Sequence, residues 1–271
     1  MLITRFLQVK FRAVMRIVAN KFLAIFNLVV IDKKTYASLL QFGKFYWGDP
    51  FMLLFKSPAK VRELIPLSKS GVRQDLFVIS ELDFKKDGFF VEIGAFDGIT
   101  SSNTYMLEKE FSWTGILSEP SRSHAKTLSR LRSCRIDLRA VYSESKIRLK
   151  FEDLGGTQLS TLSEFLEGGI QEGNRLGQEN RSSYLIETVS LNDLLVELEA
   201  PNFIDYISID TEGSEYEILK TFDFNKFDVQ IFTIEHNYDE IARAKILDLM
   251  ISNGYHRVYP QVSHQDDWFR K

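Results

Sequence analysis

The segment Val91-Glu-Ile-Gly-Ala-Phe-Asp-Gly-Ile-Thr100 constrains this chain more than any other. It follows the apolar run Phe89–Ile93 and precedes a helix-length stretch, so it reads as the turn from a buried strand into a helix. Gly94 and Gly98 let the backbone approach a ligand closely. The acids distinguish it from other glycine turns: Glu92 precedes the first glycine and Asp97 lies between the two. A dinucleotide-binding turn carries Gly-x-Gly-x-x-Gly and seats a pyrophosphate on the helix N-terminus, where two carboxylates would repel it. A phosphate-cradling Gly-x-x-x-x-Gly-Lys-[Ser/Thr] is absent from the sequence. The pattern Glu-x-Gly-x-x-x-Gly selects a ligand bearing hydroxyls and positive charge.

Strand-like and helix-like segments alternate beyond this turn. Helices are expected over 101–111, 121–131, 191–198, 215–222 and 240–252, and strands over 114–118, 136–141, 203–209, 229–234 and 255–259. A hairpin arm is expected at 147–151. Residues 153–183, rich in Gly, Ser, Gln, Asn and Glu, read as a mobile insertion with one short helix near 162–166. Such alternation predicts an α/β fold with a mostly parallel sheet covered by helices on both faces. Ligands in such sheets bind at the carboxyl ends of the strands.

Two acidic groups fall at those ends. Glu119, followed by Pro120, closes the second strand 27 residues after Glu92, about the length of one βαβ unit, where an acid binds ribose hydroxyls. Glu92, Asp97 and Glu119 together suit S-adenosylmethionine, which offers an ammonium, a sulfonium and ribose hydroxyls but no phosphate. The second group is Asp210, with Glu212 and Glu215 in the next turn, beside Glu235-His236-Asn237 at the end of the adjacent strand. Asp210 and the Glu-His-Asn group are expected to face one cleft. There Asp210 or His236 serves as general base toward a substrate hydroxyl, or Asp210, Glu235 and Asn237 bind a divalent cation such as magnesium. Glu212 and Glu215 are equally readable as caps of a helix N-terminus.

Composition narrows the setting. A net charge of −3 and the lack of a basic stripe with interleaved aromatics exclude nucleic acid as a partner. Cys134 is the only cysteine, which rules out an internal disulfide and fits a reducing, cytoplasmic compartment. The first acid of the chain is Asp32. Before it, Arg5, Lys10, Arg12, Arg16 and Lys21 accompany apolar residues at helical spacing, so residues 1–31 read either as a membrane-surface helix or as a helix packed on the domain or a partner subunit. The apolar run 22–31 is too short to span a bilayer. An aromatic-rich patch over 36–55 is expected to pack on the core or help cover a substrate cleft.

The motifs resemble those of the FkbM-type methyltransferase family. They are Gln74-Asp-Leu-Phe77, Phe90-Val-Glu-Ile-Gly-Ala-Phe-Asp-Gly98, Ser102-Asn-Thr-Tyr105, Trp113-Thr-Gly-Ile-Leu-Ser-Glu-Pro120, Ser208-Ile-Asp-Thr-Glu-Gly-Ser-Glu215, Glu235-His-Asn237 and Gln265-Asp-Asp-Trp-Phe269. The resemblance implies a class I methyltransferase, Rossmann-like fold with a seven-stranded sheet over 71–271; residues 1–70 read, from their own pattern, as a helical extension ahead of it. It implies O-methyl transfer from S-adenosylmethionine to a hydroxyl, in this family of a sugar in polysaccharide biosynthesis or of a secondary metabolite. Carried over by motif, the cofactor residues are Glu92, Gly94, Ala95, Phe96, Asp97, Gly98, Ser102, Asn103, Thr104, Glu119, Pro120 and Asp210, with Asp210, Glu235 and His236 at the reacting centre. Thr211 departs from the more usual aliphatic residue, and residues 1–70 match no motif. The set Asp210, Glu235 and Asn237 is also similar, by position alone, to the metal site of catechol-type O-methyltransferases. A nicotinamide-dependent oxidoreductase and an inactive membrane-surface module are the rival readings. Self-association is left open.

Overall fold

The structure is a computed structural model and describes residues 55–167, 172–178 and 180–271. The expected membrane-facing segment 1–31 and the aromatic patch, apart from Phe55, lie outside the described residues. No described helix is long and apolar enough to cross a membrane.

The chain enters through α1 (Pro58–Leu64) and α2 (Gln74–Glu81). It then alternates through β1 (Phe89–Ile93), α3 (Tyr105–Phe111), β2 (Thr114–Ser118), α4 (Ala125–Leu131) and β3 (Arg135–Asp137). After a small second sheet it resumes with α6 (Leu191–Glu197), β8 (Phe203–Ile209), α7 (Glu215–Leu219), β9 (Asp228–Glu235), α8 (Glu240–Ser252), β10 (His256–Val258) and β11 (Asp266–Arg270). The central sheet has seven strands in the order β3-β2-β1-β8-β9-β11-β10. All pairs are parallel except those made by β11, which inserts antiparallel between β9 and β10. The expected α/β, mostly parallel seven-stranded fold is what the chain adopts. The strand at 255–259 is not the last, however: β11 follows it and takes the inner place.

Helices cover both faces because strand side chains alternate. Val91, Ile93, Ile116, Ile207, Ile209, Phe232 and Ile234 face one core, closed by α6, α7 and α8 through Leu194, Ile218 and Ile246. Phe90, Leu117, Tyr206, Ile231 and Trp268 face the other, with Phe77 of α2 and Leu107 of α3. Phe55, Val61 and Ile65 belong to this second core, so residues 55–65 pack on the central sheet. Trp268 stacks on Phe77 at 4.6 Å between ring centroids, 18° from parallel, locking β11 to α2.

The stretch expected as a third strand over 136–141 divides. β3 stays in the central sheet, while β4 (Ala140–Tyr142) starts a second sheet in the order β4-β7-β5-β6. β5 (Arg148–Asp153), β6 (Thr161–Leu162), α5 (Glu172–Leu176) and β7 (Ser182–Ser190) complete it. Thus the segment read as a mobile insertion carries ordered elements. Leu162 packs with Ala140, Phe151 and Ile186 in a small separate core, and the partly buried Phe165 closes on it. Composition hid this because the polar residues are hydrogen-bonded, as in Ser163 Oγ donating to Glu152 Oε1 at 2.7 Å.

Truncating a large buried ring leaves a cavity that the surroundings fill only in part. Trp268→Ala is expected to lower unfolding stability by about 3–5 kcal/mol in denaturant titration. A loss below about 1 kcal/mol would mean that the β11–α2 contact does not anchor the sheet.

Candidate active site

On one face of the sheet, side chains turn from apolar to polar as each parallel strand nears its carboxyl end. Phe90 gives way to Glu92, Leu117 to Glu119, Tyr206 to Ser208 and Asp210, and Ile231 to Thr233 and Glu235. Each step is two residues, the strand period, so the acids collect on one side. They border a cavity of about 330 Å³, walled across the top by Phe151, Leu162 and residues 157–160 of the second sheet and its loop.

Gly94 sets the floor. It has φ +83°, and a Cβ there would lie 1.7 Å from the Asp210 carbonyl oxygen. Its N–H donates to Ser118 O, while Asp210 N donates to Ile93 O. The β1 exit is thereby wedged between the tips of β2 and β8.

Glu92 lines the cavity, but both of its oxygens are engaged by the protein. Oε1 accepts from Asn103 N at 2.6 Å; Oε2 accepts from Ser102 Oγ at 3.0 Å and Thr104 Oγ1 at 2.5 Å. The fully buried Arg132 stands behind it at 3.6 Å. Arg132 also donates to Gly98 O, Ser102 Oγ, Thr104 Oγ1 and Glu108. This clamp consumes residues 102–104, so α3 starts at Tyr105 rather than at 101. Asn103 is buried and lines the cavity, with its Oδ1 unpartnered.

Asp97 is bonded to its own loop. Its Oδ1 accepts from Ile99 N and Thr100 N, and Oδ2 from Thr100 Oγ1, so it shapes the loop and does not line the cavity. Burial would raise its carboxyl, but these bonds outweigh that and hold it below the usual range. Gly98 and Thr104 are likewise outside the lining, whereas Gly94, Ala95, Phe96, Ser102, Asn103, Glu119 and Pro120 belong to it. Glu119 accepts from Phe96 N and Ser121 N, both at 2.8 Å. Burial, with a contribution from Asp153, pushes its carboxyl up to about 7.

At the β8 side, Asp210, Glu212 and Glu235 bring carboxylate oxygens within 4.8 Å of one another. Burial and the neighbouring acids raise Asp210 and Glu235 well above the carboxylate range, and the two share a hydrogen bond. Burial also raises Glu212, against the pull of Arg175, whose Nη2 donates to Glu212 Oε2 at 2.6 Å. Asn237 Nδ2 donates to both Glu212 and Glu235. Asn237, expected as a metal ligand, presents a donor to the acids, and Glu212 is the third member of the cluster. Glu215 caps its own turn, accepting from Thr211 N and Gly213 N.

His236 is placed apart from this group. Following Glu235 by one residue, it falls on the other side of the strand and is absent from the cavity lining. Its Nδ1 accepts from Tyr238 N at 3.0 Å, and Nε2 lies 3.9 Å from Asp267. Burial lowers its pKa. It braces the turn in which Asn237 and Tyr238 both have positive φ. Gln74, Tyr238 and Gln265 line the cavity without having been singled out in the sequence, although Gln74 and Gln265 lie in recognised motifs. Burial pushes the Cys134 thiol up to about 12, which keeps it protonated and inert.

Two solved structures share features with the chain at 10% identity. One is assigned as an RNA methyltransferase from Pyrococcus horikoshii, covering 89% of this chain and 98% of that one with a TM-score of 0.37. The other is a precorrin-6y C5,15-methyltransferase from Geobacter metallireducens, covering 72% and 84% with a TM-score of 0.36. No protein of curated function matches the sequence. The profile of the methyltransferase FkbM domain matches residues 92–257, well over half of the chain, from the Glu92 turn through β10. The chain belongs to the FkbM methyltransferase family.

Proposed function

We propose that the chain transfers a methyl group from S-adenosylmethionine to a hydroxyl of a sugar in a polysaccharide or glycolipid. The observation that carries this reading is that one cavity joins a ribose-type carboxylate, Glu119, to the acid group around Asp210. The lining fits the cofactor. Glu119 retains acceptor capacity for a diol, Gly94 leaves no side chain between ligand and backbone, and Asn103 Oδ1 awaits a donor. A sugar acceptor suits the remaining walls. Tyr238 offers a half-exposed aromatic ring, while Gln265 and Asn237 offer amides for ring hydroxyls.

S-adenosylmethionine supplies a methyl group on a sulfonium, open to in-line attack by an oxygen nucleophile. The chain must then align the acceptor oxygen, exclude water and receive a proton. Asp210 and Glu235 hold one proton between them, and the ionised oxygen of Asp210 takes the acceptor's hydroxyl proton. Glu212 keeps its partner Arg175, while the 157–160 loop shields the reacting atoms from solvent. A second reading places a divalent cation among Asp210, Glu212 and Glu235, on the strength of their mutual reach. Magnesium added to chelator-treated protein raises the melting temperature under that reading and leaves it unchanged under the first.

Three outcomes follow. Asp210→Asn is expected to reduce turnover about a hundredfold or more while S-adenosylhomocysteine binds nearly as in the parent; turnover near the parental rate would remove Asp210 from the proton path. Glu119 must be ionised to accept both ribose hydroxyls, and its carboxyl sits at about 7 in the free protein. Binding therefore releases its proton. Calorimetry should show S-adenosylhomocysteine affinity falling as pH drops through about 7 and levelling off above it. Glu119→Gln should weaken binding and flatten that dependence; an unchanged pH profile in this variant would contradict the assignment. In a thermal-shift assay S-adenosylhomocysteine should stabilise the protein and NAD should not.

A further inference from the structure

A chain of buried hydroxyls links the adjacent strands β8 and β9 beside the cavity. Tyr206 OH and Thr233 Oγ1 are 2.7 Å apart, and Thr233 Oγ1 lies 3.3 Å from Ser208 Oγ. Ser208 Oγ in turn accepts from Asn103 Nδ2 at 2.9 Å. Tyr206, Thr233 and Ser208 are all at most 1% exposed. The chain meets the cavity at Ser208 and at Asn103, whose backbone N–H is held by Glu92. The backbone N–H and one N–H of Nδ2 are thus engaged, which orients the side chain and leaves Oδ1 as an acceptor. That oxygen is buried, in a residue 5% exposed, and has no partner among the described residues.

A buried acceptor without a donor costs free energy, and hydrogen-bond chains polarise their terminal members. The ligand therefore owes this atom an N–H or O–H. The sheet order identifies which part of the ligand supplies it. β1 lies between β2 and β8; Glu119 marks the β2 side, whereas Asn103 sits on Ser208 of β8. A ligand whose ribose is bound at Glu119 reaches Asn103 with its opposite end. In S-adenosylmethionine that end is the amino acid, whose ammonium carries three donors. The positive charge is further favoured by Asp210, two residues beyond Ser208 on the same side of the strand.

We propose that Asn103 Oδ1 is the receptor for the ammonium of the cofactor's amino-acid moiety, held in place by the Tyr206–Thr233–Ser208 hydroxyl chain. The proposal rests on the cofactor reading above and adds a role for one atom. Asn103 is a binding residue, and Ser208 is a positioning residue that acts through it.

Two commercial ligands separate the roles. S-adenosylhomocysteine has the amino acid; 5′-methylthioadenosine has the same nucleoside and thioether without it. Calorimetry of both, on the full-length protein and its variants at one pH, gives the test. Asn103→Leu should weaken S-adenosylhomocysteine about ten- to hundredfold, the size of a lost hydrogen bond to a charged group, and leave 5′-methylthioadenosine within about twofold. Asn103→Asp keeps an acceptor oxygen and should restore most of the affinity. Ser208→Ala, which frees the amide, should give an intermediate loss confined to S-adenosylhomocysteine, and it serves as the test where Asn103→Leu fails to fold. Equal losses for both ligands, or no loss for either, would overturn the assignment while leaving the cofactor reading intact. Failure of the parent protein to bind S-adenosylhomocysteine would remove the cofactor reading itself, and the proposal with it.

Discussion

The ion pair of Arg132 with Glu92 is the contact on which the site depends. Both side chains are buried, and neither is tolerable there alone, because an uncompensated buried charge is costly. Together they fix the 98–104 segment from two sides: Glu92 accepts from residues 102, 103 and 104, and Arg132 donates to Gly98 O, Ser102 Oγ and Thr104 Oγ1. The glycine turn is therefore held in place by contacts within the protein itself. Preorganisation of this kind limits the entropy lost on binding. It also delivers Asn103 to the cavity with Nδ2 bonded to Ser208 and Oδ1 without a partner among the described residues.

A second constraint is the two-residue period of the parallel strands. On one side it runs core residues into polar ones at every tip, so the strands that bury Phe90, Leu117, Tyr206 and Ile231 also present Glu92, Glu119, Asp210 and Glu235. Stability and chemistry share the same backbone. The second sheet completes the enclosure. Its small core of Ala140, Phe151, Leu162 and Ile186 stands the 157–160 loop over the cavity, and Arg175 of α5 reaches down to neutralise Glu212.

Much of this was legible in the sequence. The runs at 89–93, 114–118 and 203–209 match β1, β2 and β8 to the residue, because strands buried on both faces are mainly apolar stretches, broken here only by a few polar residues such as Glu92 and Ser208. Glu119 and Asp210 could be placed because a strand tip is a fixed point relative to such a run. What stayed hidden depended on partners distant in sequence. Arg132 has no motif of its own, and only folding brings it to Glu92. Asp97 looks like a ligand-facing acid until its turn consumes both oxygens. His236 was grouped with Glu235 by adjacency, although one step along a strand reverses the side. β11 escaped notice because Asp266 and Asp267, both buried, make its first half read as polar. The second sheet was masked by loop-like composition.

Under the proposed function, the carboxyl ends of β1, β2 and β8 seat S-adenosylmethionine. Backbone amide shifts recorded during titration with S-adenosylhomocysteine test it most directly. The largest changes are expected at 94–96, 102–103 and 119–121, with α8 and β10 nearly unaffected. Changes centred elsewhere on the domain, or none at saturating ligand, would contradict it.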